Sequence, residues 1–283
     1  MNAFDELAKL LGERIGMSID PRRRSSIEAR LAGLMADCGF SDTEEFVRRL
    51  RSGLDPALMN RTVDAMVTCE TLFFRDRAPF EAMRGIVLPK LKEARSDFRN
   101  LRIWSAACAT GQEPYSIAMV IDDLARDFAG WRVDIVASDV SQSALNAAKA
   151  GLYSQFEVQR GLPTPMLLRY FRKEAAGWRV AEHLQAAIDF RQINLVSDFA
   201  ALGHFDVVLC RNVLMYMDVE RRRDILHHRA ELQLSLRERL AIEKRRVLAR
   251  EVFDEPLATR RLRHLHVPVR HPLARETNLD RRV

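Results

Sequence analysis

Residues 104–116, WSAACATGQEPYS, decide the fold. They follow Leu101, Arg102 and Ile103, which read as the start of a buried strand, and they lead into residues 115–124, YSIAMVIDDL, which read as a helix. A strand that ends in small residues and turns at Gly111 into a helix lets a ligand approach the backbone closely. In open α/β sheets, ligands sit outside the carboxyl ends of the strands. No full G-x-G-x-x-G is present, so the turn taken alone also suits an ordinary strand-to-helix corner.

The next acid adds a second signal. Residues 131–138, WRVDIVAS, read as a second strand, and Asp139 stands directly after it. An acid at that position can accept hydrogen bonds from both ribose hydroxyls of a nucleoside cofactor. The alternative is capping, with Asp139 or Ser141 as N-cap of a helix over residues 144–150. From Leu101 onward the order strand, helix, strand, helix predicts an α/β fold, a parallel sheet with covering helices. Residues 151–187 break that rhythm with Gly161, Pro163, Pro165 and Gly177, and residues 178–180 and 188–190 offer themselves as a pair of short strands. Residues 188–195, IDFRQINL, and 205–210, FDVVLC, read as further sheet strands, ending at Asn194 and at Arg211 and Asn212.

Five ordered segments carry a family resemblance. WSAACATGQEPYSIAM, ASDVSQSALNAAKAGLY, FDVVLCRNVLMY, VTCETLFFRD at residues 67–76 and VQRGLP at residues 158–163 resemble the CheR chemotaxis receptor methyltransferases. Over about residues 3–226 the resemblance implies a helical receptor-contacting domain (1–66), a linker and connecting helix (67–100) and a Rossmann-like S-adenosylmethionine-binding domain (101–226). A small antiparallel β subdomain is expected within 151–190, and residues 227–283 form a basic tail without counterpart, so the sheet is expected to be incomplete at its C-terminal end. The implied reaction moves the methyl group of S-adenosylmethionine to glutamates on chemoreceptor cytoplasmic helices, leaving methyl esters and S-adenosylhomocysteine. A carboxylate with a pKa of about 4.3 is already ionised at neutral pH, so no strong base is needed. Proximity and orientation, worth roughly 7–11 kcal/mol in favourable cases, can carry the step.

Roles transfer by matching motif positions. Thr71 and Arg75 are implied cofactor contacts, Arg75 at the carboxylate, where bidentate pairing is natural. Glu113 is implied at the cofactor's amino group and Asp139 at its ribose, while Asn194, Leu195, Arg211 and Asn212 line its adenine and methionine portions. Tyr216 is implied as the residue that orients the incoming carboxylate, the alternative being a core aromatic. Three positions depart from the family pattern: Cys69 replaces Asn, Gln112 replaces Glu and Met217 replaces Phe. The first exchanges an amide for a weak thiol donor.

In residues 1–66, Phe4, Leu7, Ala8 and Leu11 recur at helical spacing, Pro21 opens a second helix, Ser41 and Asp42 cap a third, and Asp55 and Pro56 begin a fourth. Arg22, Arg23, Arg24 and Arg30 form a candidate docking face for the acidic receptor helices, giving orientation and encounter rate more than affinity. The alternative is a solvated helix face, since the region holds 10 basic and 11 acidic residues and any patch is local.

No run of about 18 apolar residues predicts a membrane span, and the N-terminus lacks a signal peptide's pattern, so a cytoplasmic, monomeric protein is expected. Cys38, Cys69, Cys108 and Cys210 are widely separated, which argues for packed thiols and against a metal site. The net charge of +6 is no argument for nucleic acid, because residues 221–283 hold 17 Lys+Arg against 9 acids and the remainder holds 28 against 30. Residues 224–283 contain 13 Arg, 5 of the chain's 7 His and no Gly, a composition that reads as a frameshifted or replaced segment. That tail leaves one alternative open, a remnant that binds receptor or cofactor without turnover; a third reading, a methyltransferase for another acceptor, is opposed by the N-terminal helical domain and the linker motif.

Overall fold

A computed structural model describes residues 3–19 and 24–226. The chain opens with four helices, α1 (Ala3–Ile15), α2 (Arg24–Cys38), α3 (Thr43–Arg51) and α4 (Pro56–Met66). Their starts follow from local chemistry. The Asp42 carboxylate accepts from the amides of Glu44 and Glu45, and Asp55 accepts from that of Leu58 with Pro56 in the first turn. One apolar face per helix gathers Leu7, Leu11, Leu31, Phe46, Leu50 and Met66 into a core of their own. The proposed start of the second helix at Pro21, with Arg22 and Arg23, lies outside the described residues, as do residues 227–283.

The connecting helix expected within 67–100 forms in three continuous pieces. These are α5 (Ala78–Ala82), a π-helical turn (Met83–Val87) and α6 (Leu88–Ala94). Pro89 has no amide to give the carbonyl four residues back, which accounts for the wider turn before it. Next come β1 (Asn100–Ala106), α7 (Gln112–Asp123), β2 (Arg132–Asp139), α8 (Gln142–Ala150), β3 (Leu152–Tyr153), α9 (Gln155–Gln159) and α10 (Thr164–Tyr170). Then follow β4 (Phe171–Glu174), β5 (Gly177–Val180), α11 (Glu182–Ala186), β6 (Ile188–Gln192) and β7 (Val207–Cys210).

Four strands form a parallel sheet in the order β6-β2-β1-β7. Ile103 sits opposite both Ile135 and Val207, so the sheet centre is apolar on near-continuous runs, as expected when helices cover both faces. The pairing of residues 178–180 with 188–190 does not form. β5 pairs antiparallel with β4 and β3, whereas Ile188 pairs in parallel with Ile135. The reason is local. Only Ala175 and Ala176 separate β4 from β5, so the hairpin closes at small entropic cost, and Glu174 accepts from both Arg172 and Arg179 to latch it. All four parallel strands end at the same edge, and the site lies there.

Candidate functional site

The loop after β1 is forced into a tight path. Ala107, Ala109 and Gly111 have φ of +58°, +49° and +96°. A Cβ on Gly111 would stand 2.8 Å from Ala148 Cβ and 2.9 Å from the Tyr153 hydroxyl, so the turn needs glycine. The Tyr153 hydroxyl donates to the Thr110 carbonyl at 2.7 Å, and the Cys108 amide donates to the Ser138 carbonyl at 2.9 Å. Left-handed non-glycine residues also occur at Phe74, Asp76 and Asn212. Such strain persists where the surrounding structure over-determines it, commonly at ligand sites.

Two buried carboxylates face this loop. Asp139 accepts from the Ala109 amide at 2.8 Å and the Ser141 amide at 2.9 Å. Burial pushes its carboxyl above the ordinary range, the amides of Ser141, Ala109 and Val140 pull it back, and Asp64 adds to the rise. The helix-capping role belongs to Ser141, whose hydroxyl accepts from the Ala144 amide. Glu113, in the first turn of α7, accepts from the Ser105 hydroxyl at 2.7 Å and from Arg211 at 3.0 Å. Burial raises its carboxyl too, against the lowering pull of Arg211, Ser105 and Arg75. The Arg211 guanidinium also donates to Asp76 and to the Arg75 carbonyl, tying the end of β7 to the linker.

These groups line one cleft of about 1050 Å³ of empty space, its open mouth included. Thr71 and Arg75 enter it from the linker, Glu113 from the first turn of α7, Asp139 from the end of β2, and Asn194 and Leu195 from beyond β6. Arg211, Asn212 and Tyr216 complete it from beyond β7, so every candidate named in the sequence for cofactor or acceptor meets there. Tyr216 is half-buried on a short 3-10 turn, Leu214–Tyr216.

Two family models match the chain: the CheR methyltransferase all-alpha domain over residues 2–67 and the CheR methyltransferase SAM-binding domain over residues 69–239. This chain belongs to the CheR methyltransferase family. The SAM-binding match runs past Leu226, where the motif resemblance ends. Among relatives, chemotaxis protein methyltransferase 1 of Pseudomonas aeruginosa is 43% identical, covering 80% of this chain and 83% of its own. Chemotaxis protein methyltransferase Cher2 of Pseudomonas putida is 38% identical, over 79% and 82%. The Vibrio parahaemolyticus chemotaxis protein methyltransferase is 33% identical, over 80% and 82%. This CheR protein is thus an S-adenosylmethionine-dependent methyltransferase of chemotaxis.

Cys69 lines the cleft, and burial, helped by the Asp139 charge, pushes its thiol up to about 11. Cys108, also in the lining, is pushed well above the ordinary value, first by burial and then by Asp139 and Glu113. Among the described residues no cluster of His, Cys, Asp or Glu could hold a metal, and no helix is long and apolar enough to cross a membrane. The basic candidates separate. Arg24 pairs with Glu28 and Asp5 and lies over the Phe4 ring, while Arg30 is exposed and acts electrostatically on Cys69. Sequence reasoning missed Ile15 and Met17, which reach the cleft from the end of α1. No local pattern announces that residue 17 will meet residue 217.

Proposed function

We propose that this CheR protein transfers the methyl group of S-adenosylmethionine to glutamate side chains on chemoreceptor cytoplasmic helices, producing glutamate methyl esters and S-adenosylhomocysteine. The observation that carries the reading is the lining chemistry. No histidine or lysine stands among the described lining residues, and both thiols there are held protonated by burial. Glu113 and Asp139 are held by protein donors at the ends of the cleft's strands and loops, so with no imidazole or amine base beside them the lining suits an acceptor that arrives already ionised.

The residues fit the cofactor. A carboxylate has about four acceptor sites, so Asp139 and Glu113 can still accept from ribose hydroxyls and an ammonium group beside the protein donors they already hold. Arg75 offers the cofactor's carboxylate a planar donor pair, and Thr71, Asn194, Leu195, Arg211 and Asn212 complete the enclosure. The bound cofactor supplies an electrophilic methyl group on a sulfonium. The chain's task is to aim the carboxylate at it, with the Tyr216 hydroxyl donating to the acceptor, and to exclude water. Arg30, on the exposed face of α2, adds positive charge on the route of an acidic helix, with Arg22, Arg23 and Arg24 on the same segment.

Tritium transfer from labelled cofactor to receptor cytoplasmic fragments tests the reading. The expected label is base-labile, as a carboxyl methyl ester is. Base-stable label would indicate another acceptor, and cofactor binding without transfer would indicate a protein that has kept the site and lost turnover.

A further inference from the structure

The linker that carries Thr71 and Arg75 is also held from outside the cleft. α9 ends at Gln159, and the next two residues, Arg160 and Gly161, lie against the linker. Gly161 has a φ of +93°, and a Cβ there would collide with the Phe73 carbonyl oxygen, so the two backbones touch. The Phe73 ring is itself fixed edge-on by Tyr153 at 5.0 Å and Phe171 at 5.4 Å. Arg160 Nη2 donates to the Glu70 carboxylate at 3.0 Å, and its guanidinium lies 5.2 Å from the centre of the Phe156 ring. Glu70 in turn meets Arg75, whose Nη1 donates to the Glu70 carbonyl at 3.1 Å. Glu70 and Arg75 line the cleft, and Arg160 stands behind them.

We propose that Arg160 is a positioning residue for the cofactor: acting through Glu70, it sets the Arg75 guanidinium that meets the cofactor's carboxylate. The inference rests on the reading that Arg75 binds that carboxylate. A guanidinium is a rigid planar fork, so the donor that Arg75 commits to the Glu70 carbonyl fixes where its other donors point. Arg160 has a second effect. Glu70 is an acid in the cleft lining, its charge opposes an incoming carboxylate, and pairing with Arg160 offsets that repulsion. The Phe156 ring holds the Arg160 guanidinium in place by cation–π attraction. The competing role is a surface ion pair that only ties the end of α9 to the linker. Such a pair leaves cofactor affinity unchanged, and with side chains 38% and 67% exposed it adds little to stability.

Calorimetric titration of the full chain with two ligands separates these roles. S-adenosylhomocysteine carries the carboxylate, whereas 5′-methylthioadenosine keeps the adenosine and a thioether and lacks the amino-acid end. Arg160→Ala should weaken S-adenosylhomocysteine by about three- to fivefold, the upper range of what an exposed ion pair transmits, and leave methylthioadenosine unchanged. Its urea midpoint should match that of the unsubstituted chain, so that lost binding is not lost fold. Arg160→Lys keeps a positive charge on Glu70 and should lose less than about twofold. In a Glu70→Gln background, Arg160→Ala should change affinity by less than about twofold, because its route to Arg75 is already cut. Unaltered S-adenosylhomocysteine affinity in Arg160→Ala, equal weakening of both ligands, or the full loss persisting beside Glu70→Gln overturns the proposal alone. An Arg75→Ala variant that binds S-adenosylhomocysteine as tightly as the unsubstituted chain would instead remove the carboxylate reading beneath it.

Discussion

At the scale of single residues, two acids set the pH behaviour of the site. Burial is the largest cause raising both Glu113 and Asp139, so the folded chain holds their protons more tightly than the unfolded chain does. Between the ordinary carboxylate values and the raised ones, the folded state therefore binds more protons, and the contribution of these groups to stability falls as pH rises through that window. The cofactor's ammonium favours the ionised form of Glu113, so S-adenosylhomocysteine affinity should fall as pH drops into the same window. Titration calorimetry from neutral pH downward checks this, with a shallower dependence expected for Glu113→Gln. Gly111 offers a stability test. Gly111→Ala combines a left-handed φ with a Cβ 2.8 Å from Ala148, and should cost about 1–3 kcal/mol in urea unfolding. An unmoved midpoint would contradict the close packing described. Asp139 was legible as an acid at a strand end, whereas Glu113 was marked only by its place in a family motif. What Arg211 does was less legible, because its partners Asp76 and Glu113 lie 135 and 98 residues away.

At the scale of elements, α8 is where the helical unit and the sheet are coupled. The Ser141 hydroxyl accepts from the Ala144 amide at 3.0 Å, capping α8, and donates to Asp64 of α4 at 2.7 Å. Ser141→Ala removes both bonds and should lower stability by about 1–2 kcal/mol, with Ser141→Thr retaining most of it. Equal stability for all three would show that the Asp64 link carries no energy. Strands and helices of the parallel sheet were readable from periodicity, since apolar runs such as IVAS and VVLC have few other homes. The partner of residues 178–180 was not. Either neighbour satisfies its alternation, and only the two-residue link to β4 and the Glu174 latch select the hairpin.

At the scale of the molecule, the helical unit and the sheet meet through residues 14–18 and the α4–α8 contact, the Arg14 carbonyl accepting from Asn194 and the Ser18 amide donating to the Tyr216 carbonyl. Ligand binding should therefore register in both. Hydrogen exchange with and without S-adenosylhomocysteine is expected to show added protection at the Ser18 amide and along α4, as well as in the sheet. Protection confined to residues 100–226 would mean that the two units respond separately.

The sheet order carries one more consequence. The Arg102 amide donates to Asp206 across 104 residues of sequence, and β7 reaches β1 only through that long closure. During synthesis, one flank of β1 faces no strand until codons 207–210 have been translated, so the nascent chain exposes an adhesive edge for a long interval. A coding change before codon 207 would make that exposure permanent. A change after codon 226 would leave the four parallel strands of the described residues encoded, and β1 would keep the partner that covers this adhesive flank.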